Sequence, residues 1–261
     1  MFFFLAGALT GPQLYAQQVL GARQVGMGQA VTAAGDGAWA VFANPALSAG
    51  SPRSVSFYGI RNYGFAELTD AAMAATYQVL GGVAASGLHT YGDELYRETR
   101  LRLGYSYGYA GFYAGFALNY THLLIQGYGS AGAAAIDIGL AWEVIPELRF
   151  GARAANLNRG RAGEAREELP AEFALGLAYT ISEKALFALD AVKDVRFPLA
   201  FRAGLEMELS HAFVLRGGLT TAPQTFSAGA GYRFANFHIN LVAQQHYVLG
   251  WSPGLDLTLH F

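Results

Sequence analysis

From Ser54 to Phe261 the chain keeps a two-residue rhythm, and few folds can use so much of it. About fourteen segments alternate large apolar residues with small, polar or charged ones, each near the length at which a tilted strand crosses a bilayer. Leu101, Leu103, Tyr105 and Tyr107 oppose Arg100, Arg102, Gly104 and Ser106, and Phe112, Ala114, Phe116, Leu118 and Tyr120 oppose Tyr113, Gly115, Ala117 and Asn119. Leu199 to Leu209 repeats the pattern against Arg202, Gly204, Glu206 and Glu208. Successive strand residues point to opposite faces, so nearly every charge falls on one face and the bulky apolar residues on the other. Lipid on one side and an enclosed polar space on the other accounts for both.

Composition excludes the helical alternative. The chain is 53% hydrophobic and 14% charged, yet glycine (33 residues), polar and charged residues interrupt its apolar stretches. A spanning helix needs about 20 consecutive apolar residues, which the chain after its first few residues does not supply. A net charge of -2 points to no nucleic-acid partner, and the absence of cysteine is compatible with an oxidising periplasm. Residues 1 to 16 combine an apolar core with small residues before Gln17 and read as a signal peptide without its basic start.

The connections carry a second pattern. Tight turns are expected near Gly81-Gly82, Ala110-Gly111, Pro146-Glu147, Glu183-Lys184, Ser210-His211 and Ala235-Asn236. Between them lie longer polar stretches: Arg61 to Phe65, Tyr91 to Arg97, Gln126 to Gly132, Asn156 to Pro170, Val192 to Pro198, Thr220 to Thr225 and Val248 to Pro253. Short periplasmic turns alternating with longer external loops belong to outer-membrane barrels. An even strand number puts both termini on the periplasmic side. Tyr58, Tyr77, Tyr120, Trp142, Tyr179, Tyr247 and Trp251 are candidates for interfacial girdles. The last strand ends Leu255, Leu257, Leu259, Phe261, which resembles the signal read by the machinery that inserts such barrels.

Residues 17 to 50 do not alternate. They contain Gly21-Ala22-Arg23, then Gly26-Met27-Gly28-Gln29-Ala30, Asp36, a short apolar and helical stretch at Ala38 to Ala43, and Asn44-Pro45-Ala46. Too small to be a domain, this segment gains stability by packing inside a barrel, where irregular backbone finds polar wall groups. Order and spacing resemble the FadL-like superfamily of outer-membrane barrels, PorV/PorQ-type branch. That resemblance implies a closed antiparallel transmembrane β-barrel of about fourteen strands (51–261) with an N-terminal hatch (17–50), the hatch motif being Gly26, Met27, Gly28, Asp36, Asn44, Pro45 and Ala46.

By phase, Arg102, Arg149, Arg153, Arg202, Arg216 and Arg233 point into the lumen with Asp137, Glu206, Glu208 and Asp256. Such charges either line a selective polar path or pair to anchor hatch and wall. Inward glycines leave room for hatch backbone or solute. Gly26-Met27-Gly28 lacks the strand and third glycine of a nucleotide loop. The histidines show no metal-ligand spacing, and His122 has no serine neighbour fit for hydrolysis. Neither catalytic residues nor a cofactor are expected. The mixed charges Arg159, Arg161, Glu164, Arg166, Glu167 and Glu168 mark a solvated loop. The expected role is passive passage of small hydrophobic solutes across the outer membrane; the alternative is a scaffold or cargo-receiving component of type IX secretion with secretion partners.

Overall fold

The computed structural model describes residues 19–163 and 167–261. Its strands are β1 (Ser54–Arg61), β2 (Thr69–Val79), β3 (Gly82–Gly92), β4 (Tyr96–Tyr109), β5 (Phe112–Ile125), β6 (Gly129–Ile145), β7 (Leu148–Ala155), β8 (Arg161–Ala162), β9 (Glu167–Glu168), β10 (Glu172–Ser182), β11 (Ala185–Asp194), β12 (Ala200–Glu208), β13 (Phe213–Thr221), β14 (Gln224–Phe234), β15 (Phe237–His246) and β16 (Gly250–His260). All but β8 and β9, a small hairpin, close into one antiparallel barrel. Its seam joins β1 to β16 from Ser54↔His260 to Ile60↔Gly254. Every other neighbour in the wall is also its neighbour in sequence, apart from β7 and β10, which flank the small hairpin. Closure leaves no open edge, which backbone immersed in lipid requires.

The alternation sorts the wall as lipid demands. Phe57, Leu101, Leu103, Phe116, Phe201 and Leu241 are exposed on the outside. Arg102, Asp137, Glu172, Asp190 and Asp256 are buried inside. Among the girdle candidates Tyr58 is an exception: it faces inward, 5% exposed, with its ring 5.8 Å edge-on to Trp39. Its neighbours on β1 explain this, since Phe57 takes the lipid phase and Tyr58 shares the inward phase of Ser54 and Ser56. His122 lies in the outward phase, one row beyond the exposed Tyr120 and level with Thr99 and Gly132.

Five connections are shorter than the sequence predicts: 93–95, 126–128, 195–199, 222–223 and 247–249. Gly129 to Gly132 continue β6 in register with β5, from Ile125↔Gly129 onward. Thr220 to Thr225 contain only a two-residue turn, because Thr220 and Thr225 are inward strand positions whose hydroxyls meet at 2.7 Å. Polar composition marked strand ends here, not loops: Thr220 and Thr225 face the lumen, and Ser130 lies in the outward phase opposite Leu124. One rim therefore carries turns of two to four residues and the other connections of two to seven, with 156–171 the long exception. Residues 1 to 16, and Glu164 and Arg166, lie outside the described residues.

Candidate functional site: a plugged lumen

Residues 19–50 fill the barrel. They form a one-turn helix α1 (Ala22–Gly26) and two 3-10 turns, Ala38–Phe42 and Pro45–Ser48. Val25, Met27, Val31, Trp39, Val41 and Phe42 are almost wholly buried there. Asn44 begins the second turn. Its side-chain oxygen accepts from the Ala46 N–H (3.1 Å), and its amide donates to the Thr32 carbonyl (2.7 Å) and to Leu140 O of the wall (3.0 Å). Pro45 stands at the first helical position, where a missing N–H costs nothing.

The plug's backbone rests on pairs of inward glycines that face each other across neighbouring strands. Gly115 and Gly139 are register partners under Asn44-Pro45-Ala46, and a methyl carbon at Gly115 would fall 2.7 Å from the Pro45 carbonyl oxygen. Gly151 and Gly176 form the seat under Thr32, and Gly204 and Gly218 the seat under Met27 and Gly28. A side chain at Gly218 would strike the Gly28 amide, a backbone atom with no rotamer to yield. Gly218→Val is expected to destabilise the seated plug by about 1–3 kcal/mol of overpacking. Faster cleavage after Arg23 by trypsin would report it; an unchanged digestion rate would mean the seat tolerates the methyl groups.

Charge fixes what the glycines admit. Arg23 donates to both oxygens of Glu206, Nε at 2.8 Å and Nη2 at 2.9 Å, while its Nη1 reaches Ala34 O and Asp36. Glu206 also accepts from Arg216, which continues through Asn240 to Asp256. Asp256 in turn accepts the Ala22 N–H at 2.7 Å. Across the barrel Arg102, Asp137, Arg153, Glu172 and Arg202 form a chain of ion pairs spaced 3.0 to 3.8 Å, and Arg102 donates to Val41 O of the plug. Burial makes each of these charges costly unless paired. Arg149 and Arg233 sit nearer the short-turn rim, a third exposed, on Glu143 and Glu208. In the long connection Arg161 bonds Glu168, and that hydrogen bond holds the Glu168 carboxyl below its ordinary range.

Several of these residues carry no assignment from the sequence: Arg23 as the central clasp, Glu172, and Asp190, which accepts the Thr32 N–H at 2.9 Å. Asp70 is another, receiving His89 Nε2 and Asn62 at 2.6 Å each. The motif residues separate. Gly26 to Gly28 lie across β12, β13 and β14, Asn44 to Ala46 at β5 and β6, and Asp36 projects with most of its side chain exposed. Leu255, Leu257, Leu259 and Phe261 face outward on β16 and at the carboxy terminus.

One cavity borders the plug's charged clasp, and a larger one lies on the lipid side of the wall. A polar vestibule of about 440 Å³ opens between the plug and the short-turn rim, lined by Arg23, Asp36, Trp39, Arg216, His238 and His260. A larger, apolar one of about 860 Å³ lies in the wall, where Trp142, Phe150, Leu175 and Phe201 surround the Gly151–Gly176 pair. Thr32 touches the inner side of that glycine pair.

No family model and no curated protein matches the sequence. Solved structures do match the fold. The toluene transporter TodX of Pseudomonas putida aligns with a TM-score of 0.67 at 15% identity, over 94% of this chain and 99% of that one. This chain shares its fold. The toluene transporter TbuX of Ralstonia pickettii gives a TM-score of 0.66 at 14% identity over 94% and 99% of the two chains. A Pseudomonas aeruginosa FadL homologue gives 0.63 at 12% over 92% and 98%.

Proposed function

We propose that the protein lets small hydrophobic solutes cross the outer membrane by diffusion, through a barrel that residues 19–50 close until they shift. The observation carrying this reading is a fourteen-stranded lumen filled by residues 19–50, which rest on facing glycine pairs and contribute no strand to the wall. The shared fold with TodX and TbuX supports it, since those proteins transport toluene. The spacing of Gly26-Met27-Gly28 and Asn44-Pro45-Ala46 favours a place in the FadL-like superfamily and its PorV/PorQ-type branch. With the lumen filled, passage requires the plug to move.

Cross-linking tests this directly, because the chain has no cysteine. A Cβ at Gly176 would lie 2.8 Å from Thr32 Cβ, about 1 Å inside normal disulfide spacing, and would press on the Asp190 carboxylate, so a bridge forms once that side chain turns aside and the seat shifts slightly. Cells expressing the Thr32→Cys/Gly176→Cys protein should take up toluene faster than vector controls when reduced, and at the control rate when oxidised. Equal uptake in both redox states would refute plug movement. Wild-type uptake no faster than vector would refute transport, and would favour the second reading that a filled lumen supports: a barrel that anchors secretion partners.

A further inference from the structure

The apolar cavity follows the register of the wall. Tyr107 pairs Ala114, Ala114 pairs Leu140, and Leu140 pairs Ala152; Ala152 pairs Leu175, Leu175 pairs Ala191, and Ala191 pairs Phe201. One straight row across seven strands thus alternates a large side chain with a methyl group, all facing lipid. Ala114, Ala152 and Ala191 become notches between the ridges Tyr107, Leu140, Leu175 and Phe201. Neighbouring strands lie about 4.8 Å apart, so successive notches are about 9.6 Å apart and each is one side chain wide. Along β7 the notch lengthens, because the next outward residue after Ala152 is Ala154, set between Ile138 of β6 and Phe173 of β10. Toward the short-turn rim the row Phe112, Trp142, Phe150, Leu177 and Leu189 closes the notches, and the Phe112 and Trp142 rings stack at 5.3 Å.

We propose that these notches are a binding site for the acyl chains of a membrane lipid, one unbranched chain in each. The site opens only onto the bilayer, so hydrocarbon reaches it and aqueous ligands do not. Its lining is almost free of polar atoms, which excludes a headgroup from the floor. Its width suits a methylene chain and is too narrow for a helix of about 10 Å diameter. Burial in hydrocarbon gives such a chain no hydrophobic gain, so retention rests on the close contacts of a fitted groove. The site does not depend on solute passage.

Native mass spectrometry of the delipidated protein, titrated with dipalmitoyl phosphatidylethanolamine, reads the site. Wild type is expected to retain lipid adducts, and Ala114→Leu/Ala152→Leu/Ala191→Leu to bind about tenfold more weakly. Ala230→Leu, on the lipid face of β14 away from the notches, should bind as wild type does. Equal adducts in all three would show unspecific annular lipid and overturn the proposal. Should the triple variant fail to show the heat-sensitive gel migration of a folded barrel, Ala152→Leu alone is compared by spin-labelled phosphatidylethanolamine in vesicles. A smaller motionally restricted fraction supports the site; an unchanged one overturns it.

Discussion

Deleting residues 19–50 is expected to turn a silent protein into a conducting pore in planar bilayers. Barrels of eight strands fill their interior with side chains, and those of 16 to 18 leave an aqueous channel. Fourteen strands fall between, and here the seats under the plug are glycines, which fill nothing. Water would replace Trp39, Phe42 and Met27 and hydrate the wall charges now paired within the lumen. The wall itself holds its register through interstrand hydrogen bonds and needs no plug contact to close. Single-channel recording checks this, with heat-sensitive gel migration confirming that the deleted form is folded. A folded but silent barrel would mean that something other than 19–50 blocks the lumen.

Replacing Glu206 by alanine should be the most damaging single change to the plug's attachment. Its carboxylate lies between two guanidinium groups, Arg23 of the plug and Arg216 of the wall, all of them nearly buried. Removing one partner of a buried pair costs about 3–5 kcal/mol, because the remaining charge stays desolvated. Here two cations would be left facing each other. Glu206→Gln keeps an accepting oxygen and should lose less. Arg23→Ala should lose least, since Glu206 keeps Arg216. Urea unfolding midpoints in detergent should drop most for Glu206→Ala and least for Arg23→Ala, and trypsin should cut after Arg23 faster in Glu206→Ala than in Glu206→Gln or wild type. A midpoint for Glu206→Ala no lower than for Arg23→Ala would remove Glu206 from this central role.

The wall was legible where its two faces differ chemically. On β12, Arg202, Glu206 and Glu208 alternate with Phe201, Leu205 and Met207, and phase alone assigns each side. On β11 it does not. Leu186 and Ala188 pack inward against the plug and Val192 is buried in the same phase, so apolar residues occupy both faces and hide Asp190 between them. Tyr58 misled for the same reason: a lumen filled with Trp39 and Phe42 accepts an aromatic ring as readily as lipid does. Arg23 stood in the amino-terminal motif, but its partner is 183 residues away and no spacing rule links them. The glycine pairs show only when two strands are set in register, which a single chain read in order does not reveal.

The reach of the plug's contacts bears on how the molecule is assembled. Asn44 touches β6, Thr32 is held from β11, and Ala22 is held from β16, more than 200 residues further along the chain. Few of these partners exist while the amino-terminal third is being synthesised, and the segment alone has no regular structure longer than five residues. Nucleation must therefore begin in the strands, whose neighbours are close in sequence, and the interior must be loaded at or after the meeting of β1 with β16. Such distant pairings make for slow maturation. A pulse-chase should catch a species that already migrates as a barrel while its first fifty residues are still open to protease.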